Sequence, residues 1–469
     1  MSGRWGRGVV GVVACGMALA GCGGGGGGAP RADPRPSADP RPSDAAPLVP
    51  AWQGGTRPVP RGEGGGAPGD VNGDGYRDLV LRIADGRAVV LHGSARGLDP
   101  GTRSPVPAKA AGATVGVPPG AEAADLDADG FGDLPVVLAQ PDGRRAPGVV
   151  WGGPDGLGGA ATRLPGLDGD AVDPVLGSGD FDGDGRADLA VGSDTRVEVR
   201  FGPVDRSSGR SAAVRPWIPP SASTGGPGCC MYALAGLSSA DVNGDGADDL
   251  VVEPGSDGEQ TASKLLLGTR SGRAAFPAAV HELPTGSGVV AGDFDGDGTD
   301  DLAVSDTGGR NGEGDPDALD TVLAPITLVT GVPGSTAAPR TRRVAGSRGL
   351  GGPAAADLDG DGADDLVAWH GADRDALRVR DLEGLAVLPG GPSGPDAADP
   401  SRIDALGPAR RAGKRVPAHE RPARILTGGD FGGPDQLVLG WGPGWTSDRW
   451  WFLSGPAATD GFTLSADRL

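Results

Sequence analysis

Six stretches of this chain place oxygen-bearing side chains at alternate positions, in the pattern Asp-x-Asp/Asn-x-Asp-Gly-x-x-Asp followed by Leu. Asp70, Asn72, Asp74 and Asp78 form the first set, Asp125, Asp127, Asp129 and Asp133 the second, and Asp180, Asp182, Asp184 and Asp188 the third. Asp241, Asn243, Asp245 and Asp249, then Asp293, Asp295, Asp297 and Asp301, then Asp357, Asp359, Asp361 and Asp365 complete the series. Alternate residues of a tight loop can turn toward one centre. Positions 1, 3, 5 and 9 would then offer hard oxygens to a divalent cation. Calcium suits such a set best, because it accepts roughly six to eight oxygens in flexible geometry. Position 7 is Tyr76, Phe131, Arg186, Ala247, Thr299 or Ala363. With no common side chain there, a ligand at that position must be the backbone carbonyl.

Two further regularities show how the loops are held. Position 6 is glycine in all six, at Gly75, Gly130, Gly185, Gly246, Gly298 and Gly362, where a sharp turn calls for positive φ. Position 2 is always apolar, and position 10 is always Leu, from Leu79 to Leu366. Both should anchor the loop in a core. Solvated Asp/Gly turns are the plainer alternative for any one loop, but six matches at every ligand position favour metal. A helix–loop–helix calcium site is excluded. It needs a Glu at position 12, where this chain has Leu81, Val136, Val191, Val252, Val304 or Ala368. The apolar, often β-branched residues after each loop read as a buried strand.

A second apolar run ending in glycine follows each strand, as in Val89–Gly93, Val149–Gly152 and Val197–Gly202, and a weaker run leads to the next loop. Four short strands per ~50–60 residues is the content of a propeller blade. A seventh unit has a broken loop, Gly429-Asp-Phe-Gly-Gly-Pro-Asp-Gln-Leu437, with strands expected at Trp450–Gly455 and Phe462–Leu464. The expectation is an all-β, seven-bladed β-propeller over residues 51–469, with calcium loops in six blades. Closing the ring removes exposed sheet edges.

Gly292-Asp-Phe-Asp-Gly-Asp-Gly-Thr-Asp-Asp-Leu-Ala-Val304 resembles an FG-GAP repeat, the unit of integrin α-subunit propellers and of bacterial VCBS-type secreted proteins. The Phe-Gly and Gly-Ala-Pro letters that name the family are mostly lost, and the seventh loop inherits no metal. Integrin ligand binding is not carried over, since no motif here identifies the loops it uses.

The N-terminus reads as a secretion signal over residues 1–21. Arg4 and Arg7 precede an apolar stretch, Val9 to Ala20, that is too short to span a bilayer. It ends Leu19-Ala-Gly-Cys22, which resembles a bacterial lipobox. The resemblance implies that Cys22 becomes the acylated first residue of an extracytoplasmic, membrane-anchored lipoprotein. Residues 22–50 then form a tether, with a glycine run and a tandem Ala-Asp-Pro-Arg-Pro-Ser hexapeptide that favours stiff, extended chain. Cys229 and Cys230 could form a vicinal disulfide, bridge to a partner or remain ordinary loop thiols, and the sequence leaves these open.

The net charge of −20 belongs with the metal loops, because divalent cations would offset much of it. Nucleic acid is not an expected partner, and the chain is expected to be monomeric. Catalysis is poorly supported: His281-Glu282 and His419-Glu420 lack the second His of a zinc-protease helix, and no nucleophile elbow occurs. The expected function is therefore non-enzymatic, a binding, adhesion or scaffold module for a cell-surface protein, glycan or cell-wall polymer. The longest insertions fall near Pro219–Tyr232, Glu253–Lys264, Ser305–Ala324 and Gly407–Pro422. The last carries Arg410, Arg411, Lys414, Arg415 and Arg421 and could meet an anionic partner, although a solvated charged loop is preferred at this point. Trp441, Trp445, Trp450 and Trp451 could make a lectin-like sugar platform, with core filling the favoured account. A propeller hydrolase or lyase ranks below both.

Overall fold

In a computed structural model, the described residues are 49–469, except 84, 111, 167–173, 194–195, 219–233, 255–261, 287, 306–321, 333, 335–336, 349–351, 372–376, 379–381, 399, 417–420 and 443–446. Cys22, Cys229, Cys230, His419 and Trp445 lie outside them. So do the signal and almost all of the tether, and most of the first three insertions.

Seven antiparallel sheets follow one another along the chain, each built mainly from consecutive strands. The third is the simplest: Val175–Gly179, Asp188–Gly192, Val197–Phe201 and Ala213–Trp217, paired in sequence order. The fourth, fifth and seventh repeat that plan. Three sheets depart from the expected four strands. The second gains a short fifth, Lys109–Ala110. The sixth splits its first strand into Ser347–Arg348 and Ala354–Ala356. The first has only three, because the chain before its acidic loop is the glycine-rich run Gly62–Gly69, which is poor in side chains to pack. That run bonds instead across the loops. Gly62 donates its N–H to Asn72 O at 3.0 Å, and Gly65 to Gly130 O at 3.1 Å.

The apolar residues segregate into seven clusters, one between each pair of neighbouring sheets. One of them joins Leu81, Val89 and Leu91 of the first sheet to Val438, Trp450 and Phe452 of the seventh, so the ring is closed. Every cluster contains one residue from position 2 of a loop: Val71, Leu126, Phe181, Val242, Phe294 and Leu358, with Phe431 in the seventh. Position 2 therefore plugs the joint between blades, and the broken seventh loop keeps that job. Trp441, Trp450 and Trp451 are buried in these clusters, which removes them from any sugar platform.

The seam is also bonded through the backbone. Ser94 of the first blade donates its N–H to Phe431 O of the seventh at 3.3 Å. Residues 51–52 add a parallel segment to the outermost strand of the seventh blade, where Trp52 donates its N–H to Thr463 O at 2.9 Å.

Candidate metal centres

Five of the acidic loops join the first and second strands of their blade and the first leads directly into Leu79–Arg82, so the loops share one face of the ring. Their ends are pinned by pairing. The residue before position 1 sits opposite position 9, as Gly179 with Asp188, Ala240 with Asp249, Gly292 with Asp301 and Ala356 with Asp365. Ala124 and Asp133 make the same pair in the second blade.

Inside the loop, position 1 is the organiser. Asp180 accepts the N–H of Asp184 at 3.0 Å on Oδ1 and that of Gly185 at 2.7 Å on Oδ2. The same bonds to positions 5 and 6 recur at Asp70, Asp125, Asp241 and Asp357. Position 5 accepts the N–H of position 7, as in Arg186 to Asp184 Oδ1 at 3.0 Å. The position-6 glycines have φ between 82° and 96°, the left-handed region the sequence demands. Position 4 is also left-handed in every loop and is glycine in five. The exception is Ala128, held at φ 63°.

Position 9 is fixed from two directions. Asp188 Oδ2 accepts the N–H of Phe181 at 3.0 Å, and Oδ1 accepts that of Gly202 at 2.8 Å. The second donor is a glycine just past the end of the third strand, Val197–Phe201. Gly93, Gly152, Gly268 and Gly390 do likewise for Asp78, Asp133, Asp249 and Asp365 at 2.8 to 2.9 Å. A Cβ on Gly268 would lie 2.2 Å from the carbonyl oxygen of Asp248. The recurrent glycine is thus part of the acidic loop, although it lies about 20 residues away in sequence.

Carboxylates converge in four loops. Ligand atoms of Asp125, Asp127 and Asp133, of Asp180, Asp182 and Asp188, of Asp293, Asp295 and Asp297, and of Asp357, Asp359 and Asp361 lie within 4.8 Å of one another. These groups could hold metal ions. Two loops carry Asn at position 3 and show no such triad among the described residues. In the first, Asn72 donates from Nδ2 to Asp74 Oδ2 at 3.0 Å, and in the fourth Asn243 donates to Asp249 Oδ1 at 3.4 Å. Asp78 is further engaged by buried His92, whose Nδ1 lies 3.1 Å from Asp78 Oδ2.

The fit to a cation rests on stranded oxygens. Asn72 Oδ1, Asp127 Oδ1, Asp182 Oδ1 and Asp301 Oδ2 are buried without a hydrogen-bond partner. Each sits at loop position 3 or 9. Buried acceptors are ordinarily satisfied, and a hard cation at the loop centre would satisfy these. Electrostatics agree. Burial, reinforced by neighbouring loop carboxylates, pushes Asp133, Asp188 and Asp301 up to about 8. Asp365 is pushed to about 7, and Asp249 well above its ordinary value.

Two features were not legible in the sequence. Arg206 reaches back from the third blade to Asp127 and Asp129 of the second, with its guanidinium 5.2 Å from the Trp151 ring centre. Arg273 of the fourth blade does the same to the third, bonding Asp182 Oδ2 at 2.6 Å and Asp184 Oδ2 at 2.9 Å. The second feature is position 8. Asp248 Oδ2 accepts the N–H of Asp180 at 2.7 Å, Asp300 that of Asp241 at 3.3 Å and Asp364 that of Asp293 at 2.8 Å. These carboxylates cap the preceding blade's loop and are not aimed at their own. The Asp-Asp doublets 248–249, 300–301 and 364–365 were the available signal.

Together the ring of sheets and its acidic hairpins define a seven-bladed β-propeller with candidate cation loops on one face. Within it, residues 180–252 and 241–304 match the model of the FG-GAP-like repeat. No curated protein matches the chain. Among solved structures it is similar to the crystal structure of rhamnogalacturonan lyase YesW, at 16% identity over 84% of this chain and 73% of that one, with a TM-score of 0.35.

Proposed function

We propose that this chain is a calcium-stabilised, non-catalytic binding module displayed outside the cell and held to the membrane through lipidated Cys22. The observation that carries the calcium reading is the set of stranded buried oxygens at loop positions 3 and 9. Calcium is favoured over magnesium because the loops offer more protein oxygens than an octahedral ion with several retained waters requires. In this reading the metal loops stiffen one face, and recognition is left to the opposite face, where the long insertions emerge from a rigid scaffold.

The test is a calcium titration of the mature protein by calorimetry, paired with thermal melts in calcium and in excess chelator. Heat release with a rise in Tm supports the reading. Equal melting temperatures and no heat overturn it. Incorporation of a labelled fatty acid that disappears in Cys22→Ala tests the anchor.

A further inference from the structure

The basic insertion is not an irregular loop. Leu406 bridges Pro422, Gly407 donates its N–H to Arg421 O at 2.6 Å, and Val416 donates to Ala409 O at 2.9 Å. The ribbon ends in paired strands Arg410–Arg411 and Lys414–Arg415, with Arg410 opposite Arg415 and Arg411 opposite Lys414. Ala412 and Gly413 form the turn with φ 48° and 79°, the mirror-image geometry of a tight hairpin. Two like-charged pairs therefore stand directly across from each other, an arrangement that costs stability in a sheet.

Alternation along a strand puts the two pairs on opposite faces of the ribbon. One face is turned to the body of the seventh blade, because Arg411 bonds Asp448 Oδ2 from Nε at 3.1 Å and from Nη2 at 2.7 Å. The other carries Arg410 and Arg415, both exposed and, among the described residues, with no carboxylate partner. The ribbon follows the last strand of the sixth blade, Ser401–Ile403, which ends away from the acidic loops. So two guanidiniums project from the non-metal face of a protein whose net charge is −20.

We propose that this hairpin docks a soluble linear polyanion of repeating phosphodiester or phosphate groups. Paired guanidiniums offer fork-shaped donors that match tetrahedral oxyanions, and successive phosphates could bridge the pair. A soluble chain is favoured over a membrane surface by chain direction. Residues 51–52 run parallel to Asp460–Ser465, a strand that starts at the metal-loop end, so the chain enters this pairing from the metal-loop side, opposite the hairpin. The proposal deepens the binding-module reading by naming the chemistry of the partner.

The test uses the mature, calcium-loaded protein and long-chain inorganic polyphosphate as the probe, with binding followed by fluorescence anisotropy at low and physiological salt. Arg410→Ser/Arg415→Ser is compared with Arg340→Ser/Arg343→Ser, which removes the same charge from an exposed strand of the fifth blade. The expected result is salt-sensitive binding that the hairpin variant weakens about tenfold or more and the control variant by less than about twofold. Equal weakening by both variants, or no binding by the parent, overturns the proposal. Binding to phosphatidylglycerol vesicles in preference to polyphosphate overturns the choice of a soluble chain. The calcium-dependent rise in Tm is measured in all three proteins. Its absence would strike the metal reading and leave the hairpin result to stand or fall separately.

Discussion

Asp435, in the one blade whose acidic loop is broken, accepts the backbone N–H of Asp357 in the neighbouring blade at 2.9 Å. By strand register, Gln436 lies opposite Gly429, so Gln436 occupies position 9 and Asp435 position 8. Asp435 is therefore not the closing residue of a metal loop. What survives is the acceptor that caps the preceding loop. Asp435→Ala should strand that N–H and destabilise the fold by about 1–3 kcal/mol. Urea unfolding in saturating calcium is the measurement, and an unchanged midpoint would refute the capping role.

Gly268→Ala should do more damage than an exposed glycine replacement. The added methyl meets the Asp248 carbonyl at 2.2 Å and pushes away the N–H that holds Asp249. A loss of about 2–4 kcal/mol is expected. Gly153→Ala, where no atom lies within 4 Å of the new Cβ, is the control and should stay within about 0.5 kcal/mol.

Ala128 gives a prediction of the opposite sign. It alone among the position-4 residues carries a side chain in the left-handed region. Ala128→Gly relieves that strain, and part of the gain is returned as greater freedom in the unfolded chain. The net expectation is a stabilisation of about 0.5 kcal/mol, read from denaturant midpoints.

Arg273 competes with any cation for Asp182 and Asp184. Arg273→Ala should lower Tm in chelator, because two close carboxylates lose their counter-charge. It should also raise the calcium affinity of the third loop severalfold, as one positive charge leaves the site. Thermal melts in chelator read the first and calorimetric calcium titration the second, each for variant against parent. A weaker third site would show that the arginine supports the cation instead.

Metal-free protein should show an inverted pH profile. Asp133, Asp188 and Asp301 are raised by burial from an ordinary 3.8 to about 8. Between those values the folded state keeps protons that the unfolded state has released. Stability must then fall as pH rises through the window and level off above it. Calcium replaces the protons and should flatten the slope. Melts from pH 5 to 9, with and without chelator, decide this.

Much of the loop was written in its own residues. The position-6 glycines act within one hairpin, where spacing translates directly into geometry, and the apolar residues at positions 2 and 10 announce burial by their type alone. Position 8 and the arginines Arg206 and Arg273 act between blades. Their partners lie 59 to 91 residues away along the chain, and apart from the Asp-Asp doublets at position 8 nothing local marks them. The thin first blade is hidden for another reason: Gly62–Gly69 has no side-chain alternation to read, and its backbone bonds reach over the loops. The basic insertion carries no hairpin signal because its pairing depends on Ala412 adopting a conformation that alanine seldom takes.

The short segment along the outermost strand of the seventh blade has a mechanical meaning. If the chain is pulled from its upstream end, tension enters at Val49, which is wedged into the joint between the sixth and seventh blades. It then meets the bonds of Pro50 and Trp52 with Thr463 before it reaches any acidic loop. Those few contacts form a clasp that can slip while the ring stays shut. A tug on the upstream chain would be absorbed as slack at the rim, and the propeller would keep its shape under drag.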